Sequence, residues 1–351
     1  MPADFLLYGS YGYTGRLIAE RAREAGLTPL LAGRDGPALA AQSAELGVPY
    51  RTFALDDNDA LDAALRDTRV VLHAAGPFSR TSRPMVEACL RTSSHYLDIT
   101  GEIAVFEAAA RRDEQARAAG VMLLPGAGFD VVPSDCLAAH LKRRLPGATR
   151  LSLAFQTVGG PSRGTLNTMA ESIDQGGAVR RDGRITRVPA AWATREVDFG
   201  RGPVAVTTIP WGDVSTAFHS TGIPDIQVYT RMPSRQARLL RATRRLGWLT
   251  GSAPVQGLMK RRIRRGPAGP TPEQRARGLT LLWGEAEDNA GHRAVSRMRA
   301  PEGYTLTART AVEAVRRVLA GHAPSGFQTP SRVFGADWIT EFEGVERVDV
   351  E

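Results

Sequence analysis

Cysteine is scarce. Two residues among 351, Cys89 and Cys136, are too few for a disulfide framework or a Cys-rich zinc or iron–sulfur site. Lysine is scarcer still in proportion: of 45 basic residues only Lys142 and Lys260 are lysines, which leaves little material for Schiff-base chemistry. No apolar run approaches about 18 residues. The opening Met-Pro-Ala-Asp runs into Phe5-Leu6-Leu7-Tyr8 with no basic leader and no small-residue cleavage site. These absences read as a cytoplasmic, reducing location, neither secreted nor membrane-spanning. No His, Cys and carboxylate spacing suggests a metal.

What is present is ordinary globular composition, 42% hydrophobic and 23% charged with 36 Gly and 22 Pro, enough for one large or two ordinary domains. The net charge of +8 is local. Arg231 to Arg265 holds eleven Lys or Arg and no acid, so the rest of the chain is mildly acidic. Within that segment Arg235, Arg238, Arg241, Arg244 and Arg245 recur at helical spacing among leucines, and Lys260-Arg261-Arg262-Ile263-Arg264-Arg265 follows. The pattern suits an amphipathic helical hairpin that meets anionic lipid headgroups, as a peripheral membrane contact, or an acyl carrier protein. A solvated arginine-rich surface is the plain alternative. Nucleic acid is not expected, because no base-stacking aromatic series accompanies the charge.

Short apolar segments at Phe5–Tyr8, Pro29–Ala32, Tyr50–Leu55, Val70–Ala75, Tyr96–Ile99 and Val121–Leu124 alternate with Ala-, Leu- and Arg-rich helical stretches. Glu102–Ala119 reads as one covering helix. Beyond about Arg150 the texture changes to β-type segments between Gly and Pro turns, including Leu151–Val158, Arg195–Phe199, Val204–Ile209 and Ile226–Arg231. Thr305–Leu319 reads as a helix. The expected fold class is α/β, a Rossmann-type doubly wound parallel sheet with an inserted α+β domain containing a mainly antiparallel sheet. The expected domains are 1–135 for dinucleotide binding, 136–304 as the insert, and 305–351 returning to the first domain.

Directly after the first strand stands Gly9-Ser10-Tyr11-Gly12-Tyr13-Thr14-Gly15. A dinucleotide loop needs a tight turn, a backbone that approaches pyrophosphate without a Cβ, and free helix N-terminal amides, and glycines at 9, 12 and 15 meet these needs. At the end of the second strand lies Gly33-Arg34-Asp35. An arginine there pairs with a 2′-phosphate and points to NADP(H), whereas Asp35 would serve NAD. Asp56, after the third strand, faces the adenine edge or belongs to a capping cluster with Asp57. Ala75-Gly76-Pro77-Phe78, after the fourth strand, lets ribose and nicotinamide pass close, or is a plain turn.

Two later segments, Tyr96-Leu97-Asp98-Ile99-Thr100-Gly101-Glu102 and Pro125-Gly126-Ala127-Gly128-Phe129-Asp130-Val131-Val132-Pro133-Ser134-Asp135, resemble signatures of the saccharopine dehydrogenase-like oxidoreductases. They look most like the branch that includes the trans-acting enoyl reductases. Gly326-Phe327-Gln328-Thr329-Pro330-Ser331 resembles the same branch. The resemblance implies an NADP-binding Rossmann domain, an inserted α+β domain and a C-terminal segment packed on the first. It is strong over residues 1–140 and thin through the middle, where a substrate would be chosen.

Hydride transfer needs a polarising group and a proton source beside the nicotinamide. Phe129 is placed against the cofactor, with Asp130 or Ser134 meeting substrate; Ser134 or Asp135 equally suits an N-cap of a helix Cys136–Arg144. Tyr96 and Glu102 are the other candidate proton donors, with the alternative that Asp98 and Glu102 satisfy amides of the following helix. His73 and His95 read as packed or surface residues. The expected function is NADPH-dependent reduction of a C=C bond in a small-molecule or carrier-bound acyl substrate. The rivals are an imine-forming amino-acid dehydrogenase and a non-catalytic NADP sensor.

Overall fold

The computed structural model describes residues 3–158, 160–171, 176–232 and 265–350, together with 257, 259 and 261–263. The expected helical hairpin across Arg231 to Arg265 therefore lies almost wholly outside the described residues. The chain divides into two compact units, Met1–Val132 with Tyr304–Val333 and Pro133–Gly303 with Phe334–Glu351.

The first unit begins as five strand–helix repeats and a sixth strand: β1 (Phe5–Tyr8), α1 (Tyr13–Glu24), β2 (Pro29–Gly33), α2 (Gly36–Leu46), β3 (Tyr50–Thr52), α3 (Asn58–Leu65), β4 (Val70–His73), α4 (Phe78–Thr92), β5 (His95–Asp98), α5 (Ile103–Ala110), α6 (Asp113–Ala118) and β6 (Met122–Leu124). β1 and β4 are buried along their whole length, as expected of parallel strands covered on both faces. Around them Leu6, Tyr8, Val71, Met85, Cys89, Tyr96 and Leu123 form one core cluster, each large apolar side chain contributing about 2 kcal/mol. β3 stops at Thr52 rather than Leu55 because its partner β2 ends at Gly33. The single helix expected over Glu102–Ala119 is broken at Arg111 and Arg112 into α5 and α6. The break starts a new helix at Asp113, whose carboxylate accepts the Phe327 amide at 2.7 Å.

The second unit follows with α7 (Val132–Arg144), β7 (Arg150–Val158), α8 (Arg163–Glu171), β8 (Gly177–Arg181), β9 (Arg184–Val188), β10 (Thr194–Asp198), β11 (Pro203–Thr208), α9 (Asp213–Thr221), β12 (Asp225–Arg231), α10 (Pro272–Arg277), β13 (Leu279–Glu287) and β14 (Arg293–Pro301). The chain re-enters the first unit through α11 (Gly303–Leu319), β15 (Gly326–Phe327) and α12 (Pro330–Phe334), and ends in β16 (Glu346–Asp349). The first sheet has the order β15-β6-β5-β4-β1-β2-β3, every pair parallel. In the second the order is β10-β11-β12-β7-β13-β14-β16, with the β8–β9 hairpin off β12; only β7 with β12 is parallel.

Gly284 in β13 lets Leu137 and Leu141 of α7 press onto the strand, and the opposite face carries Ala154, Val197, Tyr229 and Trp283. The tail from Phe334 belongs to the second unit rather than the first. There β16 pairs antiparallel with β14, and Asp349 accepts from Ser296 at 2.7 Å and meets His140 at 2.8 Å.

Candidate functional site

The glycine loop closes on itself. Gly9 has φ +81°, and a Cβ there would stand 2.7 Å from the Ala75 Cβ; a Cβ on Gly15 would lie on the Gly9 carbonyl oxygen. Gly12 is the N-cap of α1 and supplies no side chain to its first amides, and no acid occupies the first turn. A helix start left open in this way favours an anion. The loop is braced by Gln42, whose amide nitrogen donates to the Ser10 carbonyl at 3.0 Å. Ser10 is fully buried and its hydroxyl has no hydrogen-bond partner among the described residues. The Tyr11 ring packs where a Cβ on Gly33 would fall, and Tyr13, beside Thr14, meets Tyr304 edge-on at 5.1 Å.

At the end of β2 the two residues with opposing implications separate. Asp35 is the N-cap of α2 and accepts the Ala38 amide at 3.1 Å, so its carboxylate is committed to the helix. Arg34 is exposed and makes no hydrogen bond or ion pair among the described residues. Asp56 is exposed, and the capping of α3 falls to Asp57, which accepts from Ala60 at 3.0 Å.

After β4, Ala75 packs on Gly9 and the chain turns through a cis Gly76–Pro77 bond into Phe78. Thr81 holds this turn, donating its hydroxyl to the Ala75 carbonyl at 2.7 Å and lying 2.9 Å from His73 Nε2. Burial drives His73 down to about 3, so the imidazole is neutral. Glu102 does not match its expected role as a proton donor. Both of its carboxylate oxygens accept amides, from Phe78 and Ser79, each at 2.8 Å. It therefore caps α4, whose N-cap Pro77 provides no acceptor, and not the helix that follows Glu102.

Tyr96 is likewise a support. It is fully buried and donates to Asp98 Oδ2 at 2.6 Å. Asp98 Oδ1 accepts the amides of Thr100 and Gly126, both at 2.9 Å, tying the loops after β5 and β6 together. Burial raises Asp98 to about 6 against the pull of those bonds. Ser134 lies in the second unit, inside the first turn of α7 rather than at its cap, and donates to Asp213 Oδ2 at 2.9 Å. Asp130 alone of the four expected proton-transfer residues has a carboxyl with no hydrogen bond among the described residues. It is half-buried against Gly101, where a Cβ would come within 3.0 Å of it, and burial alone pushes it up to about 7. Phe129 beside it is half-buried, with its amide donating to Thr307 Oγ1 at 2.9 Å. Gln42, Thr307 and Thr310 are supports that no sequence pattern marks, because each acts on a backbone group remote in the chain.

The parallel sheet, the open glycine loop and a second mixed-sheet unit define a dinucleotide-binding protein of the Rossmann class. More particularly, residues 5–124 match the family model described as the saccharopine dehydrogenase NADP binding domain. The trans-acting enoyl reductase of Mycobacterium leprae is 36% identical over 150 residues, 40% of this chain and 36% of that protein. A putative trans-acting enoyl reductase of Mycobacterium tuberculosis is 33% identical over 184 residues, 48% of this chain and 44% of that one. The matches thus span less than half the length of these curated relatives.

Two solved structures share the fold of the whole chain. Apo saccharopine dehydrogenase (L-Glu forming) from Saccharomyces cerevisiae has a TM-score of 0.68 at 14% identity, covering 100% of both chains. Homospermidine synthase from Legionella pneumophila, solved with NAD, has 0.66 at 10%, covering 99% of this chain and 92% of that one. The residues present fit NADP: the Cβ-free cradle at Gly9 and Gly15 suits the pyrophosphate, and the unpaired Arg34 suits the 2′-phosphate.

Proposed function

We propose that the protein is an NADPH-dependent oxidoreductase that reduces a C=C bond in a carrier-bound acyl substrate. The observation that carries the reading is Asp130: a carboxyl without a partner, at the loop after β6, titrating near neutrality. General acids work best when their pKa lies near the working pH. NADPH, when bound, supplies a hydride. The chain's own residues do the rest. The amides at the start of α1 would hold the pyrophosphate and Arg34 the 2′-phosphate, and Thr81 fixes the Ala75–Phe78 turn. Asp130 in its protonated form donates to the substrate atom left carrying negative charge, and Asp98 with Tyr96 holds the loop on which Asp130 stands. The relatives' name, trans-acting enoyl reductase, supports a substrate delivered on a carrier. The eleven basic residues from Arg231 to Arg265 suit an acidic carrier protein on charge alone.

The test is NADPH oxidation with 2-enoyl pantetheine thioesters. Turnover is expected, reduced roughly 10²-fold or more in Asp130→Asn with NADPH affinity retained. Arg34→Ala should weaken NADPH about ten- to a hundredfold and leave NADH unchanged. Consumption of NADPH with a keto acid plus an amine, and none with thioesters, would overturn C=C reduction in favour of imine chemistry.

A further inference from the structure

The turn that carries Asp130 is held from two directions. From β5, Asp98 takes the Gly126 amide on its carboxylate and the Ala127 amide on its carbonyl, the latter at 2.7 Å. From α11, nearly 180 residues later, Thr307 Oγ1 accepts the Phe129 amide at 2.9 Å and Thr310 Oγ1 donates to the Ala127 carbonyl at 2.9 Å. Thr307 is 7% exposed and Thr310 fully buried. The contact is close: a Cβ on Gly128 would stand 2.8 Å from Thr307 Cγ2, so glycine at 128 is what lets the threonine reach the backbone. Thr307 thus fixes the Gly128–Phe129 peptide, one residue ahead of Asp130, while the Asp130 carboxyl makes no hydrogen bond among the described residues.

We propose that Thr307 is a positioning residue, which aims Asp130 by holding the Phe129 amide, so that the reductive site is completed by α11. The inference rests on the assignment of Asp130 as the proton donor. Loss of the hydroxyl frees the turn to pivot about Gly126 and Gly128, and a misplaced acid transfers its proton less often without any change in cofactor binding.

The experiment uses the full chain with Thr307→Val, which keeps the branched shape and removes only the oxygen, and Thr307→Ser, which restores it. Two readouts are taken: the Asp130 carboxyl titration by 13C NMR, which needs no substrate, and the kcat and pH profile of NADPH oxidation with the thioester. Thr307→Val should displace the Asp130 titration from its wild-type midpoint and lower kcat about tenfold or more, with the affinity for NADPH within about twofold. Thr307→Ser should return both towards wild type. An unchanged Asp130 titration and kcat in Thr307→Val, alongside a dead Asp130→Asn, would overturn the positioning role and leave the proposed function standing. Full activity in Asp130→Asn would instead remove the proton donor and this inference with it. Should Thr307→Val fail to fold, Thr310→Val removes the other bond from α11 and is read the same way.

Discussion

At the end of β5 and in the loop after β6 of the first unit, burial raises Asp98 and Asp130 to about 6 and about 7. In the second unit the shifted carboxylates move the other way. Hydrogen bonds from Arg143 and Arg347 hold Asp337 far below the usual range, one from Arg150 lowers Glu287, and the Gly200 amide with its neighbours lowers Asp198. The first unit's own surface carboxylates, Asp62 and Glu87, are paired with arginines in the same manner. Among the described residues the contrast is therefore between one cluster at the ends of β5 and β6 and the paired carboxylates elsewhere. A desolvated acid such as Asp130, whose carboxyl has no hydrogen bond among the described residues, opposes folding, whereas a paired one is neutral or favourable, so the cost is concentrated where chemistry would use it.

The two kinds of carboxyl respond to pH with opposite sign. Asp130 binds its proton more tightly folded than unfolded, so its contribution favours folding at low pH and is lost as pH rises from about 4 to about 7. Asp337 is held below its unfolded value, so its contribution is present above about pH 4 and is lost as pH falls further. His73, a base driven down by burial, also loses stability on acidification below about pH 6.5, which makes differences between variants more informative than the wild-type curve.

Three substitutions probe this contrast. The greatest effect is expected from Gly15→Ala, because the added carbon meets the Gly9 carbonyl and the Ser10 backbone, which have no freedom to withdraw. A cost above about 3 kcal/mol and loss of NADPH binding by roughly a hundredfold are expected by denaturation and titration. Binding within a few-fold of wild type would break the assignment of the loop to the pyrophosphate. Next is Glu285→Gln in the second unit, where the buried carboxylate joins Arg195 at 2.9 Å and Arg293, and Arg195 lies over Trp283 at 4.6 Å. About 2 kcal/mol should be lost, with NADPH affinity unchanged. The least effect, and the sharpest, is Asp130→Asn: a gain of a few degrees in Tm at about pH 8 that shrinks towards pH 5. A gain that did not depend on pH would show that Asp130 is not strained by its charge.

Much of the first unit is legible in the residues themselves. Apolar runs as short as Phe5–Tyr8 and Val70–His73 mark strands buried on both faces, and glycines at 9, 12 and 15 meet a steric demand that few loops impose. In the second unit, β13 and β14 are among the longest strands, yet Leu-Thr-Leu-Leu-Trp-Gly-Glu-Ala-Glu and Arg-Ala-Val-Ser-Arg-Met-Arg-Ala-Pro carry few β-branched residues and many charges. They are strands because each supplies the other's ladder and because Glu285 meets two arginines, conditions set by distant chain. The same distinction runs through the site. Tyr96, Glu102 and Ser134 have the chemistry of proton donors, and only their neighbours show each committed to another group.

By itself, then, the order of residues determined the cofactor class, since a Cβ-free turn at a strand end and an arginine after the next strand are local requirements that local residues satisfy. Which acid remains free was decided only by tertiary structure. Desolvation and hydrogen bonding depend on what surrounds a group: Asp130 lies against Gly101, in the turn between β5 and α5, and the residue before it is held by a helix that returns at the far end of the chain.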